Sequence, residues 1–313
     1  MNATCSELAR DEEMAGTAPA ATAWLILEQP GPWGPDALNE SGLEPELGAF
    51  LATLTPEYGI RVALARHVDR PEREDDGRRN VWLARVTSSD MQLRHTVMTD
   101  TTELLELDYA AMAIGYLPEI GEIESHPLLL VCTHGRRDAC CAVHGRSLLT
   151  ALLEGADDIQ RNHIWECSHI GGHRFAPSTL TLPSGAVHGR VGPDEARDFL
   201  QRTMVDEVLP SRFRGRTCYP APFQVAGAYV RRVMDVDAAT ELDVQRVVAG
   251  KAVPAHPTAA IFETVARAEV KAQDGRVWRL LVEQHEVDRI ESCGAEPTVG
   301  TTWQVVDCEQ LRG

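Results

Sequence analysis

The feature that most constrains this chain is a crowd of metal-binding side chains in about a fifth of its length. Residues 126–188 hold His126, His134, His144, His163, His169, His173 and His188, seven of the eleven histidines. They also hold Cys132, Cys140, Cys141 and Cys167, four of the eight cysteines. Soft and borderline donors gathered on loops between strands are the sequence form of a transition-metal site. Two spacings give the crowd a shape. Cys132-x8-Cys141 starts at the end of an apolar run, 127–131, and finishes where a helical pattern begins, with Val143, Leu148, Leu149, Leu152 and Leu153 on one face. The strand end fixes one sulfur. The helix start fixes the other, where unpaired N–H groups and the positive dipole end favour thiolate. His169-Ile170-Gly171-Gly172-His173 follows the next strand, and its glycines permit a loop tight enough to fold two imidazoles onto one ion. The combined pattern is C-x8-C-x27-H-x3-H.

Composition narrows the class. A chain of 313 residues suits two or three modest domains. With 43% hydrophobic and 25% charged residues, wholesale disorder is excluded. A net charge of −17, from 30 basic and 47 acidic residues, argues against nucleic-acid binding and against docking on an anionic membrane. No apolar run approaches the roughly 20 residues of a spanning helix. Glu7, Asp11, Glu12 and Glu13 stand where a secretory signal would carry basic and apolar residues. The expectation is a cytoplasmic protein, whose cysteines point to metal or redox chemistry instead of a disulfide framework.

Periodicity predicts three blocks, 1–118, 119–215 and 216–313. The first reads as an N-terminal α/β domain. It has strand patterns at 22–28, 60–65, 80–86 and 91–98, and a helix through Leu47, Phe50, Leu51 and Leu54 closed by Gly59. A rigid Pro/Gly loop spans 29–34, and 69–79 is a charged, solvated turn. The second block has strands at 127–131 and 162–166, and a hairpin at 179–191 turning on Ser184-Gly185. A helix at 193–204 follows, opened by Pro193 and acidic residues. Its β-α-β-β-α order is that of the thioredoxin-like core and of other small α+β domains. The third block reads as a small α+β region: a helix at 223–234, strands at 261–271 and 276–284 joined by Asp274-Gly275, and a last strand at 301–306.

The run CTHGRRDACCAVHGR, followed by WECSHIGGHRFAPSTLTLPSG, resembles the sucrase/ferredoxin-like family, a branch of the thioredoxin-like ferredoxins; the stretch 6–34 resembles it too. The likeness covers about residues 5–230 and leaves the C-terminal block unexplained. It implies a thioredoxin-like [2Fe-2S] ferredoxin domain over 119–215. Thioredoxin-like ferredoxins draw two cluster ligands from a C-x3-C pair, which reads His169-x3-His173 here. What the resemblance implies is a [2Fe-2S] cluster held by Cys132, Cys141, His169 and His173. Exchanging two thiolates for neutral imidazoles removes two negative charges and eases reduction. In Rieske centres the same exchange lifts the potential from about −400 mV to roughly −150 to +300 mV. An imidazole can also lose its outer proton, so the potential is expected to depend on pH.

Alternatives stay open at this level. Cys140 competes with Cys141 as a ligand, and Cys167 reads as a strand core residue. His134 and His144 are reserve ligands whose simpler reading is a cap or turn. His163 and His188 read as strand or hairpin residues. Arg136, Arg137 and Arg174 are either solvated surface or functional, as hydrogen-bond donors near the cluster or as a docking site for an acidic partner. The expected function is an iron–sulfur electron carrier served by a separate reductase or acceptor. It is a carrier more than an enzyme, and an oxidoreductase if a substrate site exists. The alternative is a structural Cys2His2 zinc protein with an interaction role, although C-x8-C is wider than the usual C-x2–4-C knuckle. A thiol–disulfide oxidoreductase would need a C-x-x-C pair, which the chain lacks. No pair of carboxylates singles out a glycosidase.

Overall fold

Continuous apolar runs become strands covered on both faces, and alternating ones become strands with one face open. The computed structural model describes residues 3–68, 77–259, 261 and 263–312, so residues 69–76 of the expected charged turn lie outside the described residues. In chain order the elements begin with a single helical turn, α1 (Cys5–Leu8), then β1 (Ala23–Glu28), α2 (Pro45–Tyr58) and β2 (Ile60–Arg66). Next come β3 (Arg79–Arg85), β4 (Gln92–Met98), α3 (Tyr109–Ala113), β5 (Glu122–Ile123) and β6 (Leu128–Cys132). The middle continues with α4 (Ala139–Gly155), α5 (Asp158–Asn162), β7 (Ile164–Cys167), β8 (Ser178–Leu182), β9 (Ala186–Gly189), α6 (Ala196–Thr203) and β10 (Phe213–Arg216). The chain closes with α7 (Ala221–Met234), β11 (Leu242–Val248), β12 (Lys251–Pro254), β13 (Val265–Ala272), β14 (Val277–Arg289) and β15 (Thr298–Arg312). The fold is mixed α/β and α+β.

Ten strands form one sheet in the order β10-β9-β8-β6-β7-β2-β1-β3-β4-β5. Two pairs are parallel, β1 with β2 and β6 with β7; the other neighbours are antiparallel. The pairing of β2 with β7, Ala65 opposite Cys167 and Arg66 opposite Glu166, runs the sheet unbroken across the first two blocks. A period of two explains β6, in which every residue is buried. Leu129 and Val131 join the α4 and α6 side chains Leu148, Leu149, Leu152, Phe199 and Leu200. Leu128, Leu130 and Cys132 face the opposite core with Val244, Val270, Trp278 and Leu280 of the second sheet. That sheet is antiparallel, in the order β12-β11-β13-β14-β15.

Departures from the expected elements have local causes. The β11–β12 hairpin escapes notice because it turns on Ala249-Gly250, at φ 48° and 78°, without the usual Asn or Asp. The final strand runs over 298–312, well beyond 301–306, because a register shift at Leu281/Val282 lets the long hairpin continue. The strand expected from 261 begins at Val265. β10 (FRGR) was hidden by its charge: Arg214 and Arg216 are buried. Arg216 is satisfied by the carbonyls of Ser184 (2.9 Å), Ser88 (3.0 Å) and Thr87 (2.6 Å). Among the described residues no helix is long and apolar enough to cross a membrane.

Candidate metal centre

The parallel strands β6 and β7 end side by side, with Cys132 opposite Cys167. Carboxyl ends of parallel strands are where an open sheet leaves a crevice. From Cys132 the chain turns back through 133–138, and Asp138 caps α4 by accepting from the Cys140 N–H at 2.9 Å. Cys141 is the third residue of α4. One turn later Gly145 lies directly on the end of β6, where a Cβ would stand 2.1 Å from the Cys132 carbonyl oxygen. A side chain there cannot be accommodated by a rotamer change, because the obstacle is backbone. Gly145→Ala is therefore expected to destabilise the fold by roughly 1–3 kcal/mol, outweighing the gain of up to about 1 kcal/mol in helix propensity. It is also expected to lower metal occupancy by moving Cys141 away from Cys132. Urea unfolding midpoints and bound metal per chain, compared with wild type, check this; an unchanged midpoint would refute the packing argument.

The His169–His173 loop is shaped by Gly171 at φ 97° and Gly172 at φ 74°, left-handed positions that bring the two rings together. Their centroids lie 4.9 Å apart at 41°. Arg214 braces this loop from beneath. It is 1% exposed, donates to the carbonyl of Gly171 (3.1 Å) and to Thr17 Oγ1 (3.0 Å), and leaves no room for a Cβ on Gly172. Burial pulls its guanidinium down to about 9. His134 braces the loop from the side. Its Nδ1 accepts from the His169 N–H (3.3 Å), and Nε2 meets the Gly34 carbonyl (2.7 Å), which fixes the proton on Nε2. Burial lowers the pKa of this ring as well. Both nitrogens of His134 are thus engaged, and it positions His169 instead of joining the donors. His144 is tied to Ser6 Oγ at 3.2 Å.

The structure brings Cys132 Sγ, Cys141 Sγ and a ring nitrogen of His169 within 4.8 Å of one another. His173 lies outside that set, beside His169. Both sulfurs are buried and both rings half-buried. The thiols titrate as a pair: donation from Cys141, with His169 and the His134 N–H adding to it, holds Cys132 well below its ordinary range, and Cys141 is pushed up in consequence. Burial and the neighbouring His169 keep His173 low, against the pull of Asp138, whose Oδ2 is 3.8 Å from Nε2. Burial would raise the Asp138 carboxyl, but the N–H groups of Cys293 and Cys140 overcome it and hold the group at about 2. Nδ1 of His169 and both ring nitrogens of His173 are buried without a hydrogen-bond partner. Buried nitrogens of this kind normally find one. Beside two sulfurs, the donor set fits a soft or borderline metal group.

The other candidates are placed elsewhere. Cys140 turns away from Cys141 toward Cys5 and Cys293. Cys167 is fully buried in β7, and burial raises its thiol. Arg174 is neither solvated nor free to dock a partner. It is buried, with both Glu12 oxygens at 2.9 Å and Glu291 at 2.8 Å. Arg136 and Arg137 are exposed. His163 and His126 flank Glu124, each 3.5 Å from its Oε1. Sequence reasoning missed Asp138, Arg214, Cys5 and Cys293. Asp138 was detectable as an N-cap before Ala-Cys-Cys; Cys5 and Cys293, 288 residues apart, offer no spacing to read.

Comparison with known proteins places this geometry in context. Altered inheritance of mitochondria protein 32 of Candida glabrata is 26% identical over 105 residues, covering 30% of this chain and 34% of that protein. The chain thus spans about a third of that curated relative's length. No solved structure matches the chain significantly. The sulfur and imidazole donors at 132, 141, 169 and 173 all fall within residues 14–215, the stretch that matches the sucrase/ferredoxin-like family, and by that match the chain belongs to this family.

Proposed function

We propose that Cys132, Cys141, His169 and His173 hold a [2Fe-2S] cluster and that the protein is a one-electron carrier. The observation that carries this reading is the set of partnerless, buried imidazole nitrogens beside two contacting thiols. Spacing favours two metals over one. Tetrahedral zinc with bonds of 2.0–2.3 Å needs donor atoms within about 3.8 Å of each other, whereas His173 stands outside even the 4.8 Å set. The strand order β7-β6-β8-β9, with α4 and α6 on one face, adds support, because it is the arrangement of thioredoxin-like domains.

When bound, the cluster supplies reversible one-electron transfer at a potential above that of a four-thiolate site. The chain's own residues set the conditions. The thiols are buried and the rings half-buried, so the histidines are the less covered side of the donor set and the nearer exit for an electron. His134 and Arg214 hold the loop in place. A separate reductase or acceptor completes the reaction, and an overall charge of −17 suits a basic docking face. The proposed setting is the cytoplasm, a reducing compartment in which thiolate ligands stay available.

Anaerobic purification with iron, acid-labile sulfide and zinc analysis tests the proposal. Red-brown protein with equal iron and sulfide, and a paramagnetic signal on one-electron reduction, is the expected result. A colourless protein with one zinc and no sulfide, lost on mutating Cys132, would replace it with the structural zinc reading.

A further inference from the structure

Cys140, the neighbour of Cys141, belongs to a second cluster of donors at the far side of the α4 start. Its Sγ lies 3.5 Å from Cys5 Sγ and 3.4 Å from Cys293 Sγ, and Cys293 Sγ lies 3.5 Å from Cys5 Sγ. Asp138 closes the figure, with Oδ1 3.4 Å from Cys293 Sγ and 3.7 Å from Cys5 Sγ. Cys5, Asp138 and Cys140 are buried and Cys293 is half-buried. Three buried sulfurs in mutual contact beside a carboxylate are an unfavourable arrangement for free thiols, which offer one another only weak donors and acceptors.

We infer that Cys5, Cys140, Cys293 and Asp138 form a second metal site, of tetrahedral zinc type, that clasps α1 and the β14–β15 loop to the start of α4. The dimensions agree with a metal at the centre. For Zn–S near 2.3 Å and Zn–O near 2.0 Å, tetrahedral edges are about 3.8 Å between sulfurs and about 3.5 Å between sulfur and oxygen. The edges here, 3.4–3.5 Å and 3.4–3.8 Å, need only a small expansion. The carboxylate is held in place by three donors: the Cys293 N–H at 2.9 Å and Ser292 Oγ at 3.0 Å on Oδ2, and the Cys140 N–H at 2.9 Å on Oδ1. Such bracing is what outer partners supply to metal ligands. Binding exchanges three S–H bonds for three metal–sulfur bonds and releases three protons, with no change of oxidation state. The ligands come from α1, from the α4 start and from the loop between β14 and β15, so the metal would join three segments distant in sequence. No ligand is shared with the site at 132, 141, 169 and 173, and the two proposals stand or fall separately.

The test is zinc content of the full chain, purified anaerobically with reductant and supplied with Zn2+, for wild type, Cys5→Ser, Cys293→Ser and Cys132→Ser. Wild type and Cys132→Ser are expected to retain one zinc per chain through gel filtration; Cys5→Ser and Cys293→Ser are expected to retain at least fivefold less. Co2+ added to zinc-free wild type should give the near-ultraviolet thiolate-to-cobalt absorption of a three-sulfur site, reduced in Cys293→Ser while far-ultraviolet circular dichroism is unchanged. Zinc that persists in both Cys5→Ser and Cys293→Ser would overturn the inference. So would wild type that takes up no zinc, or a disulfide among Cys5, Cys140 and Cys293 in protein alkylated at lysis.

Discussion

Cys132→Ala is expected to leave the purified chain with less than about a tenth of the wild-type iron and sulfide, while His169→Cys and His173→Cys keep the cluster and lower its potential. The asymmetry follows from where the donors sit. Cys132 is the last residue of a strand buried on both faces, and it takes donation from Cys141 and the His134 N–H. No neighbour can replace it: Cys167, its partner across β7, is in the core, and Cys140 is committed to Cys5 and Cys293. The histidines, by contrast, lie on a loop set by Gly171 and Gly172, and a thiolate there restores the four-sulfur ligation of ordinary ferredoxins. Each substitution returns one negative charge to the cluster. Two imidazoles separate about −400 mV from roughly −150 to +300 mV, so a single exchange should cost on the order of 100 mV or more. Metal and sulfide analysis with a redox titration reads all three variants. Full iron and sulfide in Cys132→Ala would remove this residue from the ligand set and the electron-carrier proposal with it.

Much of the frame of this site could be read from the chain because it rests on local patterns. The buried run before Cys132, the helical face after Cys141 and the glycines between His169 and His173 each announce their geometry over fewer than twenty residues. The α/β order of the first two blocks was legible for the same reason, as was the α+β character of the third. What could not be read depends on partners distant in sequence. Nothing local tells that β2 pairs with β7 and merges two blocks into one sheet. Nor does an FRGR run look like a strand, because its arginines are buried only by virtue of carbonyls at Thr17, Gly171, Ser184 and Ser88. The division of Cys140 from Cys141 is of this kind too: adjacent residues on a helix start point about 100° apart, and only the arrival of residues 5 and 293 gives the first of them company.

A second large effect is expected in acid, and it originates at His188, a member of neither group of donors. His188 lies in β9, fully buried, with its ring edge-on to Phe199 at 5.0 Å and near Phe213 at 5.6 Å. Its Nε2 accepts from the Leu209 N–H at 3.1 Å, so the ring is neutral, with its proton on Nδ1. Burial, and then the positive charges of Arg231 and Arg214, press its pKa down to about 3. The unfolded chain has a histidine near 6.5. Between these values the unfolded state binds a proton that the folded state refuses, so stability is complete above about pH 6.5 and falls as the pH drops toward 3. The loss is about 1.4 kcal/mol per pH unit in that window, or roughly 2–3 kcal/mol by pH 4.5. Against a total of about 5–15 kcal/mol this is a large share. His188→Gln keeps an oxygen for the Leu209 N–H but cannot titrate. Urea unfolding across pH 4.5–7 should therefore show the variant losing about 1.4 kcal/mol less per unit than wild type, whatever the other histidines contribute to both. Parallel pH profiles for the two proteins would mean that His188 takes up its proton in the folded state as readily as in the unfolded one, and the argument from burial beside two arginines would be wrong.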